Sequence, residues 1–251
     1  MAIDLNADLG EGFGRWELTD DHGLLKYITS ANVACGFHAG DPSTMRRVCE
    51  EAVASGVRIG AQVSYRDLAG FGRREMDVPS EELAAEIAYQ IGALRVFAQS
   101  AGSDVTYVKP HGALYHRVIR DPEQARAVVE GIKLAAGPRV VLCLTGGELD
   151  QLAQEEGMTT VGEGFADRAY GPDGWLVSRS EPHAVHHDPH VVVSQALSIA
   201  QHRTVVATNG RPVNVKARSL CLHGDSPGAV AMAASVRQAL KDHDIDVEAF
   251  T

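Results

Sequence analysis

The sequence predicts an α/β fold in which parallel strands close into a barrel, and three observations carry that prediction. Short β-rich runs alternate with longer helical ones along the chain, the pattern of repeated strand-helix units. The 251 residues, 45% of them hydrophobic, can bury one large core, and single α/β barrels fall in this length range. Polar and ionisable residues gather at the carboxyl ends of almost every strand-like run, where a barrel would bring its loops together on one face.

The first run, AIDLNADL, alternates Ile3, Leu5 and Ala7 with Asp4, Asn6 and Asp8, so three polar groups share one strand face. An edge strand with a solvated face would show the same alternation. In a parallel barrel that face is interior, where uncompensated polar groups are costly, and the following GEGFG lets backbone approach a ligand closely. YITSANVAC is the second run. It leads into GFHAGDPSTMRR, where His38 and Asp41 lie on a Gly-rich turn before a helix whose free N–H groups could meet an anion; Asp41 also reads as that helix's cap ahead of Pro42. GVRIGAQVS is the third run, and the helix after it is expected to open with Ser80 as cap and to close near Gly102. SDVTYVKP is the fourth and ends in VKPHGALYH. Pro110 stops the strand there, and Lys109 and His111 are expected in a pocket rather than a core.

Asp121 caps the next helix, with Pro122 at its first position and Gly137 as terminator. RVVLCLTG is the fifth run and turns toward a helix at Thr145. TTVGEGFA, the sixth, is followed by FADRAYGPDGWLVSRSEPHAVHHDPH, a long Gly/Pro-interrupted stretch read as a functional loop. Asp188-Pro189 opens another helix, TVVATNGRPVNV is a hairpin about Asn209-Gly210, and RSLCLHGD is the seventh run, with a helix starting from Gly224, Asp225, Ser226 and Gly228. No repeat, low-complexity segment or linker divides the chain, so one βα-barrel domain over 1–251 is expected.

On this topology Asp8 and Glu11, His38 and Asp41, Tyr65 and Asp67, Lys109 and His111, Glu163 with Asp167 and Arg168, and His223 with Asp225 would converge on a small ligand. The formal charge of -10 disfavours nucleic acid and an anionic membrane surface as partners. Cys35, Cys49, Cys143 and Cys221 form no C-x-x-C pair, and three lie in strand-like runs, so buried reduced thiols and a cytoplasmic location are expected. The N-terminal stretch has no basic segment followed by an apolar one, and no eighteen apolar residues run together; neither secretion nor membrane spanning is expected. The sequence has no Gly-x-x-x-x-Gly-Lys-Ser/Thr phosphate loop, no kinase signature and no Gly-x-Ser-x-Gly elbow. His183, His186, His187 and His190 cluster locally, and His183 and His187 have the spacing of a helical zinc pair. The two prolines in EPHAVHHDPH argue against a continuous helix, so the segment reads as a solvated loop and no bound transition metal is expected.

Taken in order, DLNADLGEGFG, NVACGFHAGDP, DLAGFGRR, VKPHGALYH, EGFADRAY and LCLHGDSPGA resemble the lactam-utilisation family, the A subunits of bacterial ATP-dependent 5-oxoprolinase, from Asp4 to Ala229. The resemblance implies a TIM-like seven-stranded (β/α) barrel related to glycoside hydrolase and deacetylase barrels. It also implies action with B and C subunits in opening the lactam of 5-oxo-L-proline to L-glutamate, with ATP as co-substrate and Mg accompanying it. One departure is local: Gln62 and Val63 stand where the family commonly has His-Pro, so no imidazole is available at position 62.

A five-membered lactam is a stable amide, and its opening at neutral pH needs activation, as by phosphorylation of the carbonyl oxygen before water attacks. Asp8 or His38 would serve as base, His111 as acid or orienting group, and Lys109 as electrostatic stabiliser. Glu163 and Arg168 would hold the substrate's carboxylate and nitrogen, with Asn6, Glu11, Asp41, Tyr65, His223 and Asp225 completing the binding set. Two other readings remain open: a metal-dependent deacetylase-like hydrolase of an N-acyl substrate, and a non-catalytic binding subunit whose partners do the chemistry.

Overall fold

A computed structural model describes residues 1–224 and 228–251. The elements are β1 (Ala2–Leu9), α1 (Asp21–Leu24), β2 (Ser30–Ala34), α2 (Pro42–Ala54), β3 (Arg58–Val63), α3 (Ser80–Ser100), β4 (Val105–Pro110), α4 (Gly112–Arg117), α5 (Pro122–Leu134) and β5 (Val140–Cys143). They continue with α6 (Glu148–Glu155), β6 (Thr159–Phe165), α7 (Pro189–His202), β7 (Thr204–Val206), β8 (Pro212–Asn214), β9 (Ser219–Leu222), α8 (Ala229–Asp242) and β10 (Asp246–Val247). Strands β1 to β6 follow one another in space, β9 pairs with β6, and β9 returns to β1, which closes a parallel barrel of seven strands. The expected seven runs are therefore its staves. The short β10 adds to β1 at Ala2 and Ile3, outside the ring, and β7 and β8 form the antiparallel hairpin about Asn209-Gly210.

Local chemistry sets the helix starts. Asp41, Asp121 and Asp188 each accept backbone N–H groups of the first turn, and each precedes a proline whose missing N–H costs nothing there. Helix α3 differs from expectation. Pro79 stands at the cap and Ser80 is already helical, with no side-chain cap bond; the fixed φ of Pro79, -53°, sets the chain direction, and its carbonyl accepts Leu83 N at 2.9 Å. All four cysteines are buried and free. Among the described residues, no helix is long and apolar enough to cross a membrane.

The outward side chains of the staves, such as Leu5, Val33, Ile59 and Val108, are buried against the helices. Inside, the barrel divides. Tyr107, Leu142 and Val161 make a small apolar cluster, against which Phe250 packs edge-on at 4.9 Å from the Tyr107 ring. The other inward groups are polar. Asp4 accepts from Thr29 Oγ1 and Ser30 Oγ, each at 2.6 Å, and from Ser219 Oγ. With hydroxyls rather than a cation around it, burial pushes its carboxyl up to about 6.

Gly60 is where the two halves meet: the Tyr107 ring lies directly on its Cα and reaches across to Asn32 Oδ1 at 2.7 Å. A Cβ at position 60 would overlap the ring. Gly60→Ala should therefore destabilise the fold by about 1–3 kcal/mol through overpacking. Denaturant unfolding checks this, and a stability unchanged from wild type would show that the ring does not need the glycine.

Candidate active site

Strand alternation turns Asp8 of β1, Lys109 of β4, Glu163 of β6 and Cys221 of β9 toward the barrel axis. Lys109 Nζ lies 2.8 Å from Glu163 Oε1 and 3.1 Å from Asp8 Oδ1, and it also reaches Asn6 Oδ1 at 3.3 Å and Cys221 Sγ at 3.2 Å. Phe165 lies under the ammonium, 5.6 Å from Nζ to its ring centre. Burial works against that charge, but Asp8, Cys221 and Glu163 outweigh it and hold Lys109 well above its ordinary value. Burial likewise opposes the Asp8 carboxylate, and Lys109, followed by His111 and His223, more than offsets it; Asp8 sits well below the usual carboxylate range. Asn32 Nδ2 donates to Asp8 at 2.8 Å, and Tyr115 OH donates to Glu163 Oε2 at 2.8 Å. The floor thus holds one cation between two carboxylates, all buried.

A histidine pair stands beside it. His38 follows β2 and His111 precedes α4, and their rings stack at 4.2 Å and 23°. His38 Nε2 meets Gln62 Oε1 at 3.1 Å, Gln62 Nε2 donates to Glu11 Oε1 at 3.3 Å, and that oxygen lies 3.6 Å from His111 Nε2. The DLAGFGRR loop closes over the pair. Asp67 accepts Gly70 N at 2.9 Å and binds Arg74, which bends the chain so that Phe71 (φ 55°) and Gly72 (φ 67°) reach both rings. Gly72 lies flat against them, where a Cβ would come within 2.9 Å of His38 Cβ. Burial pushes His38 down to about 4, and burial together with the stacked His38 holds His111 well below 6.5; both are neutral at neutral pH.

Among the described residues two donor sets could hold a metal: Glu11, His38 and His111, and Asp8, Cys221 and His223. In the first set His38 Nε2 meets Gln62 and Glu11 accepts from Gln62, while His38 Nδ1 and His111 Nδ1 are buried with no hydrogen-bond partner among the described residues. In the second set Cys221 and Asp8 both serve the Lys109 ammonium.

On the opposite side Asp167 takes His223 Nδ1 at 2.7 and 2.9 Å, and the His223 ring stacks on Phe165. Burial opposes the Asp167 carboxylate, but His223 and the nearby arginines hold it below the ordinary range. The long stretch after β6 forms the wall. Gln195 of α7 donates one amide nitrogen to the carbonyls of Phe165, Ala166 and Arg168, and Arg168, 2% exposed, donates to the carbonyls of Ala184 and Val177. Floor, histidines and wall enclose a cavity of about 1050 Å³.

Of the residues picked from the sequence, Asp8, Lys109, His111, Arg168 and His223 line this cavity. Asn6 and Glu163 lie beneath it as partners of Lys109, and Glu11 and His38 lie behind His111. Tyr65 is elsewhere: it is buried with its hydroxyl on Gln124 of α5, 2.9 Å away. Asp41 is held by α2 through Ser43 N, Thr44 N and Thr44 Oγ1, and also accepts Gly14 N at 3.0 Å. Asp225 lies outside the described residues. His183, His187 and His190 are exposed, as a solvated loop requires, while His186 is half-buried and its N–H meets Asp167 O at 2.7 Å. Sequence inspection overlooked Tyr115, Phe165 and the contact of Cys221 with Lys109. Tyr115 alone left a signal, standing four residues after His111 in a helical stretch and so on the same face.

Lys109→Met would leave Asp8 and Glu163 buried together without a cation. It should destabilise the fold by about 3–5 kcal/mol, and adding Glu163→Gln should recover part of the loss. Thermal melting of the single and double variants checks this; a single variant that melts like wild type would remove the ion pair from any structural role.

Residues 3–251 match the LamB/YcsF family. The A subunit of 5-oxoprolinase from Streptomyces griseus is 63% identical over 248 residues, covering 99% of each chain, and that from Mycobacterium leprae is 54% identical over 248 residues, covering 99% of this chain and 98% of the other. The crystal structure of the lactam utilization protein from Thermus thermophilus is 40% identical, covers 100% of both chains and superposes with a TM-score of 0.93. With its barrel and its whole length shared in this way, the chain belongs to the LamB/YcsF family.

Proposed function

We propose that this chain is the A subunit of a 5-oxoprolinase and opens the lactam ring of 5-oxo-L-proline to L-glutamate, coupled to ATP consumption by the assembled enzyme. The names of its relatives support the substrate. The observation that carries the chemistry is the buried Lys109 between Asp8 and Glu163 at the floor of a cavity that His223 and Arg168 also line.

Lactam hydrolysis needs a base for water, an acid for the departing nitrogen and a cation near the developing oxyanion. Asp8 is the base in this reading, because it is held ionised and lines the cavity, whereas His38 is turned to Gln62 behind it. Asp167 holds the His223 ring through Nδ1, which leaves the ring's other nitrogen to take up a proton from solvent and pass it to the lactam nitrogen as the C–N bond breaks. His111, neutral, orients the ligand, and Lys109 offsets charge on the carbonyl or phosphoryl oxygen. ATP, with Mg, activates the carbonyl. The absence of a standard phosphate loop in this sequence suits B and C subunits that handle the nucleotide, in a cytoplasmic complex acting on a small molecule. The deacetylase alternative would place a metal on Glu11, His38 and His111, and a chelator that abolishes activity of the complex would favour it.

Reconstitution with purified B and C subunits tests the proposal. The chain alone should open 5-oxoproline negligibly, and the complex should do so only with ATP. Asp8→Asn in that complex should lower kcat by about a hundredfold to ten-thousandfold, the usual worth of a general base. Replacing His183, His187 and His190 together with Ala should cost less than about tenfold, since they are exposed outside the cavity. Robust ATP-independent opening by the isolated chain, or an Asp8→Asn complex as fast as wild type, would sink this assignment.

A further inference from the structure

The protein carries a formal charge of -10, yet the cavity above Lys109 is lined by six lysine and arginine residues against three carboxylates. Some of these cations are already matched. Lys109 has Asp8 and Glu163, Arg117 has Asp77 and Asp121 at 2.9 and 2.8 Å, and Arg120 stands 3.4 Å from Asp173. Arg168 and Arg179 are different. Among the described residues, Arg168 is buried and donates only to neutral carbonyls, and Arg179, half-buried in the same wall, makes no hydrogen bond or salt bridge.

Their neighbours register that imbalance. Burial and then Arg179 push Arg168 down to about 10. Enclosure, followed by Arg168, Arg179 and Arg120, pushes His116 down to about 4. Asp167, the carboxylate that both guanidiniums feel, gives its oxygens to His223. A buried guanidinium beside another, with no carboxylate of its own, is costly unless a ligand brings the missing charge.

We propose that Arg168 and Arg179, with Arg120 and His116 beside them, form a phosphoryl-binding subsite in the cavity wall. This rests on the ring-opening reading and deepens it by naming a second group that the cavity receives. Two unmatched guanidiniums call for about two negative charges. A phosphoryl group brings roughly -1.5 to -2 at neutral pH, whereas a carboxylate brings one. Guanidinium forks also match phosphoryl oxygens in geometry. At about 1050 Å³ the cavity has room beyond a five-membered ring for such a group. The phosphoryl group can arrive on an activated small acid, as free phosphate, or at the end of a nucleotide.

The test is titration of the isolated full chain, by calorimetry and phosphorus NMR, with inorganic phosphate, acetyl phosphate, ATP and, as the carboxylate control, acetate. Phosphate or acetyl phosphate should bind, acetate at least about tenfold more weakly, and Arg179→Met should weaken phosphoryl binding by about tenfold or more. Arg46→Met, on the outer face of α2 and paired with Glu50, should leave it unchanged. Stronger binding of acetyl phosphate than of ATP assigns the group to a small acid, stronger binding of ATP assigns it to a nucleotide, and free phosphate that binds best of all assigns it to the released ion. No binding by any phosphoryl probe, acetate binding as tight as phosphate, or an Arg179→Met chain that binds like wild type would overturn the subsite. Failure of the ring-opening reading would appear separately, as a reconstituted complex that consumes no 5-oxoproline while the isolated chain still binds phosphate.

Discussion

The ammonium of Lys109 is buried at the axis of a closed barrel, and everything around it is arranged so that it can stay charged there. Removing an ion from water costs several kcal/mol even after relaxation, so one carboxylate at hydrogen-bond distance is a minimum and further polar contacts are needed for the remaining protons. Asp8, Glu163, Asn6 and Cys221 supply them from β1, β6 and β9. These groups meet only because the strands are in register: Asp4 lies opposite Ser219, and Ser219 opposite Glu163. A slip of one residue in β1 would turn Asp4, Asn6 and Asp8 out against the helices and Leu5 and Ala7 into the polar centre. The ion pair and the barrel closure therefore specify one another.

The loops then divide the labour electrostatically. On one side the histidine pair is buried and neutral, which lets two imidazoles stack beside a region already rich in positive charge. That arrangement depends on the loop after β3, where Asp67 and Gly72 bring the backbone down onto the rings. On the other side the wall accumulates guanidiniums, and Asp167 holds His223 against Phe165. The cavity between has an ionised carboxylate at its floor and cations around it. A small anion drawn in by the wall would come to rest beside Asp8, which is held ionised there.

Much of this could be read from the sequence. The alternation of Asp4, Asn6 and Asp8 with apolar residues, and the polar groups closing each strand, located both the barrel and the end of it that bears the cavity. The hairpin at Asn209-Gly210 and the Asp-Pro helix starts followed from local chemistry alone. Tyr65 was less legible, because a residue just past a strand can turn to the pocket or to the helix layer; Tyr65 turns outward to Gln124. Asp41 carried two signals at once, and its bonds to α2 display the capping one. The partners of Lys109 come from strands far apart in sequence, and no spacing rule reports which carboxylate will face which lysine across a barrel. The nearly parallel histidine stack was equally invisible, since it depends on a positive-φ turn thirty-odd residues from His38.

The charge state of Lys109 is the point on which this account turns, and nitrogen NMR of the side chain measures it directly. With selectively labelled lysine, the Nζ of Lys109 should keep the shift of an ammonium from about pH 6 to about pH 10, with slow exchange of its protons, while exposed lysines begin to titrate at the upper end. A Lys109 signal that moves to the neutral amine within that range would show that the two carboxylates do not hold the charge, and the floor described here would not exist in solution.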